Sequence, residues 1–293
     1  MPTLLAGLIT RASFLYLLCS PRGTMHFMVV TSKKRYGNLP FDSASAEPFK
    51  ISRTKLDTFI ECQRCAFLDL KFGVKRPSMP AFTLNNAVDE LLKREFDIHR
   101  ANKSQHPLLA KYCLDAVPLD DERMDEWRDA LRRGIQYHHL PTNILVRGGI
   151  DDVWVNPEGE LILVDYKATS KKIGPSSEDD LYDSYKKQME VYQWLFRKND
   201  FNVSPTGYFV YVNGKSDAKA FDGKLEFDVK LIPYAGSDTW VEPAIFDLKE
   251  MLLSDVIPPI GVSFGGGPCE YCTYRESAGK TLLAVHQNKK LDK

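Results

Sequence analysis

The sequence predicts an α/β domain in which a mixed central β-sheet is flanked by helices and the two ends of the domain are clasped by a cysteine-metal site. Three observations predict it. Two apolar runs rich in β-branched residues flank a turn at Asn156, Pro157, Glu158 and Gly159. Segments with apolar residues at helical spacing lie on either side of that hairpin. Cys-x-x-Cys pairs stand near both ends, Cys62 with Cys65 and Cys269 with Cys272. At 293 residues, with 43% hydrophobic and 27% charged, the chain can bury one sizeable core and has the composition of a soluble globular protein. Thirty-nine basic residues balance thirty-nine acidic ones. That excludes a global positive field for loose coating of polyanions and leaves phosphate contacts to local clusters: Lys71, Lys75 and Arg76, Lys93 and Arg94, Lys171 and Lys172, Lys186 and Lys187.

The elements follow in order. Residues 1–48 read as a poorly ordered or start-site extension, dispensable for chemistry. Residues 4–9 and 14–18 are apolar, but Arg11 interrupts them, the span is too short to cross a membrane, and no signal-peptide layout is evident. Met25 and Met28 offer later starts. The domain proper is read as 49–280, with a polar tail over 281–293. Ser52 or Thr54 can cap a helix whose apolar positions are Leu56, Phe59 and Ile60. Residues 83–96 form an amphipathic helix. Residues 107–140 read as largely helical, with Trp127 and Leu131 in the core. Tyr137, His138 and His139 carry no metal in this reading, because adjacent histidines on a helix face different ways. Strands follow over 145–150 and 161–164, a helix over 184–196, strands over 206–212 and 225–229, and a helix over 240–253. No internal repeat is evident.

The chemistry concentrates at 148–171. Asp151 closes the first hairpin strand, and the second delivers Asp165, Tyr166 and Lys167; alternation sends Asp165 and Lys167 to one face. Two carboxylates converging beside a lysine can hold a hard divalent cation, while the lysine steadies a water or a phosphate oxygen. The cysteine pairs supply four thiolates, enough for a tetrahedral zinc site or an iron–sulfur cluster.

Gly149-Ile150-Asp151 followed by Asp165-Tyr166-Lys167 resembles the G-x-[IV]-D…[DE]-x-K core of the PD-(D/E)XK nuclease superfamily, and more closely its RecB-like branch, which includes AddB-type and CRISPR-associated exonucleases. The resemblance covers roughly residues 50–276 and implies a restriction-endonuclease-like fold. Asp152 competes for the first position, but Asp151 directly follows the Gly-x-Ile run and its neighbour points to the opposite face. Gln188 and Tyr192 match a Q-x-x-x-Y pair on the following helix, which implies that Gln188 contacts nucleic acid and Tyr192 helps organise the site. Residues 52–67 resemble the family's S-x-[ST]-x-[LI]-x-x-[FY]-x-x-C-P-R-x-F opening, with Gln63 where Pro is usual. The family's G-x-x-[VL]-H, whose His binds metal, falls on residues 85–89 and places Asp89 at the ligand position; aspartate is an oxygen donor suited to magnesium or manganese, with Glu90 the alternate.

The implied activity is metal-dependent hydrolysis of phosphodiester bonds in DNA, in preference to RNA. It is exonuclease-like and serves repair, recombination or CRISPR adaptation, with protein partners in such a complex and no membrane. Asp151, Asp165, Asp89 and the Tyr166 carbonyl would hold Mg2+ or Mn2+, and Lys167 would orient the water. A catalytically silent nucleic-acid-binding module on the same fold is the alternative; a zinc-stapled protein of unrelated function is a third. Cluster-bearing relatives place one cysteine upstream and three downstream. Here Ser277 and Ala278 occupy the region of the last one and Cys65 is gained, so the two-plus-two set is read as either a 4Fe-4S cluster or Zn2+. Disulfides do not suit the reducing cytoplasm in which a nuclease of this kind works.

Overall fold

The computed structural model describes residues 15–18, 26–29, 39–78, 80, 82–263 and 266–291. Two compact units divide the chain after Asn38. In the first, strand β1 (Leu15–Leu18) pairs antiparallel with β2 (His26–Val29). Residues 4–9, Arg11, Cys19 and Met25 lie outside the described residues. The second unit begins at Leu39: the Phe41 N–H donates to the Leu70 carbonyl at 2.7 Å and the Phe41 ring packs edge-on against Phe49.

Its elements run β3 (Phe49–Ser52), α1 (Arg53–Glu61), α2 (Gln63–Phe72), α3 (Thr83–Ala101), α4 (Pro107–Lys111), β4 (Val117–Pro118), α5 (Met124–Arg128), β5 (Ile135–His139), β6 (Ile144–Gly148), β7 (Asp152–Val155), β8 (Leu161–Thr169), α6 (Asp183–Lys198), β9 (Thr206–Gly214), β10 (Phe227–Ala235), α7 (Val241–Leu253) and α8 (Glu270–Leu291). The strands form two mixed sheets flanked by helices. One has the order β10-β9-β8-β7-β4, with β8 and β9 parallel; the other has the order β3-β6-β5, with β3 and β6 parallel. The chain passes from one sheet to the other through Gly149, Ile150 and Asp151, between β6 and β7.

Side-chain alternation along β8 builds two cores. Ile162, Val164 and Tyr166 face one way and pack with Phe96 of α3, Leu109 of α4 and Trp154 of β7. Leu161 and Leu163 face the other, against Met189, Tyr192 and Leu195 of α6, Leu56 of α1 and Leu248 of α7. The second set continues to Asp165 and Lys167, so α6 covers the strand end that carries the polar residues.

Several expectations are corrected. Residues 107–140 are not largely helical: α4 and α5 are five residues each, and 135–139 form β5. Pairing with β6 takes this segment into the sheet, a tertiary contact that outweighs local pattern. His138 and His139 therefore lie on a strand, where they bond Asn143 Oδ1 and Thr142 Oγ1, each at 2.9 Å. Leu131 is not core; it is 86% exposed in the turn after α5, whereas Trp127 is buried as expected. The last sheet strand starts at Phe227 and leaves Leu225 exposed. The helix expected after Ser52 is α1, with Leu56, Phe59 and Ile60, and Cys62, in extended backbone at φ −156°, separates it from α2. The helix α8 runs through most of the segment read as a polar tail.

Candidate active site and cysteine centre

Asp165 is fully buried. Its Oδ1 accepts a hydrogen bond from Gln188 Nε2 at 2.6 Å, and the Lys167 ammonium lies against Oδ2 as an ion pair. Lys167 also donates to Gln188 Oε1 at 3.2 Å, and Gln188 Nε2 reaches the Tyr192 hydroxyl oxygen at 3.1 Å. Gln188 thus holds the acid and the lysine together, and Tyr192, four residues on, braces Gln188 from the same helix face. Burial pushes the Asp165 carboxyl up to about 6, against the pull of Lys167, and the neighbouring Asp151 pushes the same way.

Helix α6 can come this close only because β6 ends in glycine. A Cβ at Gly148 would stand 2.6 Å from the Tyr192 ring and 3.2 Å from Leu195, and one at Gly149 would stand 2.4 Å from Ala130. The two consecutive glycines therefore have a packing reason.

Asp151 and Asp152 part as alternation requires. Asp151 Oδ2 accepts the Tyr166 N–H at 2.9 Å, which joins it to β8 beyond the β7 ladder, whose last pair is Asp152 with Val164. Asp152 points into the other core, fully buried. It ion-pairs with Arg100 and Arg128, and it accepts from Trp154 Nε1 at 3.3 Å and from the Tyr166 hydroxyl at 2.8 Å. Every oxygen of Asp152 is satisfied by the fold. Arg128 adds a bond from Nε to the Asp151 carbonyl at 3.0 Å, so this buried network also fixes the backbone of Asp151.

Asp89 comes to the same place from α3. Burial, then the nearby Asp151, raises its carboxyl above the usual range. A cleft of about 340 Å³ opens here, lined by Asn85, Asp89, Asp151, Tyr166, Lys167 and Tyr185. Glu90 is turned away and faces Arg94 at 3.7 Å. Three further residues belong to the site and were not singled out for it by sequence pattern. Lys93 contacts both Asp89 and Asp151, at 2.7 and 3.3 Å. Arg53 ion-pairs with Asp57 and places its guanidinium 5.9 Å from the Tyr192 ring centre. Asn85 donates to the Ala168 carbonyl at 2.8 Å and ties α3 to the end of β8. Lys93 was legible only as part of a basic cluster and Arg53 only as part of a capping segment. Lys71 and Arg76 are tethers rather than free phosphate contacts: Lys71 bonds the Ser254 carbonyl and Arg76 pairs with Glu61.

Residues 50–277, a span holding all of these side chains, match the family model of the PD-(D/E)XK nuclease superfamily. The chain belongs to that superfamily. A search of curated proteins gives no significant match. PD-(D/E)XK nucleases act on nucleic acid and generally use divalent metals. The carboxylates of Asp89 and Asp151 line the cleft and are hard oxygen donors of the kind such an ion takes, while that of Asp165 is held by Lys167 and Gln188. No helix among the described residues is long and apolar enough to cross a membrane.

On this PD-(D/E)XK domain the four cysteines meet. Cys62 stands at the break between α1 and α2, Cys65 in the first turn of α2, Cys269 just before α8 and Cys272 in its first turn. All are buried, and their sulfurs lie within 4.8 Å of one another, a possible metal site. Three of the separations are 3.6 Å (Cys62–Cys272), 3.6 Å (Cys65–Cys269) and 3.4 Å (Cys65–Cys272), with no disulfide. The Gly261 N–H donates to Cys62 Sγ at 3.2 Å, an approach open only to glycine, since a Cβ there would meet the Glu61 carbonyl oxygen at 2.3 Å. Arg275 reaches Cys65 Sγ at 3.4 Å and Arg76 reaches Cys269 Sγ at 3.9 Å. Two guanidinium groups thus stand ready to offset the negative charge of a metal–tetrathiolate.

Proposed function

We propose that the protein is a metal-dependent deoxyribonuclease of the RecB-like branch, exonuclease-like, that acts in repair, recombination or CRISPR adaptation. The observation that carries the reading is the buried Asp165 held with Lys167 by one glutamine, with Asp151 fixed beside it and the cleft open in front. Asp151 and Asp165, with Asp89 and the Tyr166 carbonyl, would hold Mg2+ or Mn2+. A strand residue directs its N–H and C=O to the same edge, and the Tyr166 N–H already faces Asp151. When bound, the divalent ion polarises the scissile phosphate and lowers the pKa of the attacking water. Lys167 orients that water and offsets charge gathering on the phosphate, while Gln188 bonds both Lys167 and Asp165 and Tyr192 keeps Gln188 in place.

One feature favours a silent nucleic-acid-binding module instead: the family's His is replaced by Asp89, which already has an ammonium partner in Lys93. Incubating end-labelled single- and double-stranded DNA, and RNA of the same sequence, with the protein and Mg2+ or Mn2+ separates the two. The nuclease reading predicts DNA cleavage that EDTA abolishes. Binding without cleavage under every ion would favour the silent module.

For the cysteine centre we propose a single Zn2+. Four thiolates around one zinc, at Zn–S bonds of about 2.3 Å, stand about 3.8 Å apart, close to the separations found here. A four-iron cube must fit between its thiolates and holds them much farther apart. Elemental analysis giving one zinc and no iron per chain supports this; iron and sulfide in a brown protein would overturn it.

A further inference from the structure

Lys93 sits one helical turn after Asp89 on the inner face of α3, its side chain 24% exposed, whereas its neighbour Arg94 is turned out at 73%. Its ammonium bridges Asp89 Oδ2 at 2.7 Å and Asp151 Oδ1 at 3.3 Å. On the other side of the site the Lys167 ammonium lies against Asp165. The three carboxylates are therefore shared between two fixed ammonium groups, Lys93 taking Asp89 and Asp151 and Lys167 taking Asp165.

Charge counting gives this arrangement a consequence. Three carboxylates against two ammonium groups leave one net negative charge. One divalent cation turns this to a single positive charge, which one phosphodiester neutralises. A second divalent cation would leave a large uncompensated positive charge in a half-buried cleft, where charges interact strongly. In two-metal sites the ions stand about 3.5–4 Å apart; here a cation, the Lys93 ammonium, already stands between Asp89 and Asp151, at 2.7 and 3.3 Å.

We propose that Lys93 is a built-in cation at the position a second divalent ion would take, so that this site works with one divalent ion and Lys93 contacts the substrate phosphate on the Asp89 side. The inference rests on the nuclease reading above. It is tested by Mn2+ titration of the full-length, zinc-loaded protein, counting bound ions by electron paramagnetic resonance. Wild type is expected to bind one Mn2+ per chain, lost in Asp165→Asn. Lys93→Gln, which keeps helix propensity and length, is expected to bind two, and Lys93→Arg, which keeps the charge, is expected to stay at one. Two ions in wild type, or one ion of unchanged affinity in Lys93→Gln, overturns the role of Lys93 while leaving the nuclease reading intact. No Mn2+ in wild type together with no cleavage overturns both.

Discussion

Asp165 is a fully buried carboxylate held by Gln188 and Lys167, so a neutral replacement should weaken binding of a divalent ion while keeping the fold. Lys167→Ala should keep the fold and lower the cleavage rate about 10²–10³-fold, the usual cost of losing one preorganised transition-state partner; turnover within a few-fold of wild type would remove Lys167 from the chemistry. Asp89→Ala should lose most activity and Asp89→His should retain part of it, as measured by cleavage rate against Mg2+ concentration. These residues were legible in sequence because the relations among them are local. Asp165 and Lys167 share a face by strand alternation, and Gln188 and Tyr192 share one by helical spacing. Lys93 and Arg53 were not legible as site residues, since their meaning comes from acids and rings on other elements, at separations that no spacing rule reaches.

Elements bring those residues together through close contacts that glycine permits. Gly148→Ala should push Tyr192 and α6 away from β6, costing about 1–3 kcal/mol by overpacking and lowering activity through displaced Gln188; chemical denaturation of an otherwise intact protein measures it, and an unchanged midpoint would contradict the packing argument. The α3–α4 junction carries a pH dependence. His106 is buried at the start of α4, accepts the Leu108 N–H at 3.0 Å and stacks on Phe96 with ring centres 4.1 Å apart. Burial lowers its pKa below the usual 6.5, Glu95 only partly opposing, and burial lowers His139 as well. The unfolded chain then binds more protons than the folded one just below pH 6.5, so this stability is complete above 6.5 and is lost as the pH falls through the lowered value. Thermal melts from pH 8 to pH 5 should fall, and His106→Asn, still able to cap, should flatten the fall. An equal slope in the variant would contradict it. At this scale the sequence predicted the site strands and α6 within a few residues but placed 135–139 in a helix. The partner strand β6, not local periodicity, makes that segment a strand.

For the whole molecule, the pattern announced a mixed sheet between helices but not its division into three- and five-stranded sheets, which depends on how the chain crosses at Gly149, Ile150 and Asp151. The cysteine clasp was legible as two pairs, and the fold supplied what spacing could not: sulfurs within 4.8 Å. A metal held there would join residues 210 positions apart, Cys62 and Cys272, and its binding would become folding energy. Cys272→Ser should lower the Tm by roughly 10 °C or more, and Cys113→Ser, exposed and unclustered, should leave it unchanged; equal melts for both would remove the clasp from the stability of the fold. If the acids and lysine at the end of β8 cut DNA with a divalent ion, removing the charge of one acid abolishes cleavage. Single-turnover cleavage of DNA by wild type and by Asp165→Asn, which preserves shape and the Gln188 contact, tests it directly. Wild type should cleave in the presence of Mg2+ or Mn2+ and a folded Asp165→Asn should not; equal cleavage by the two proteins would remove these residues from the chemistry.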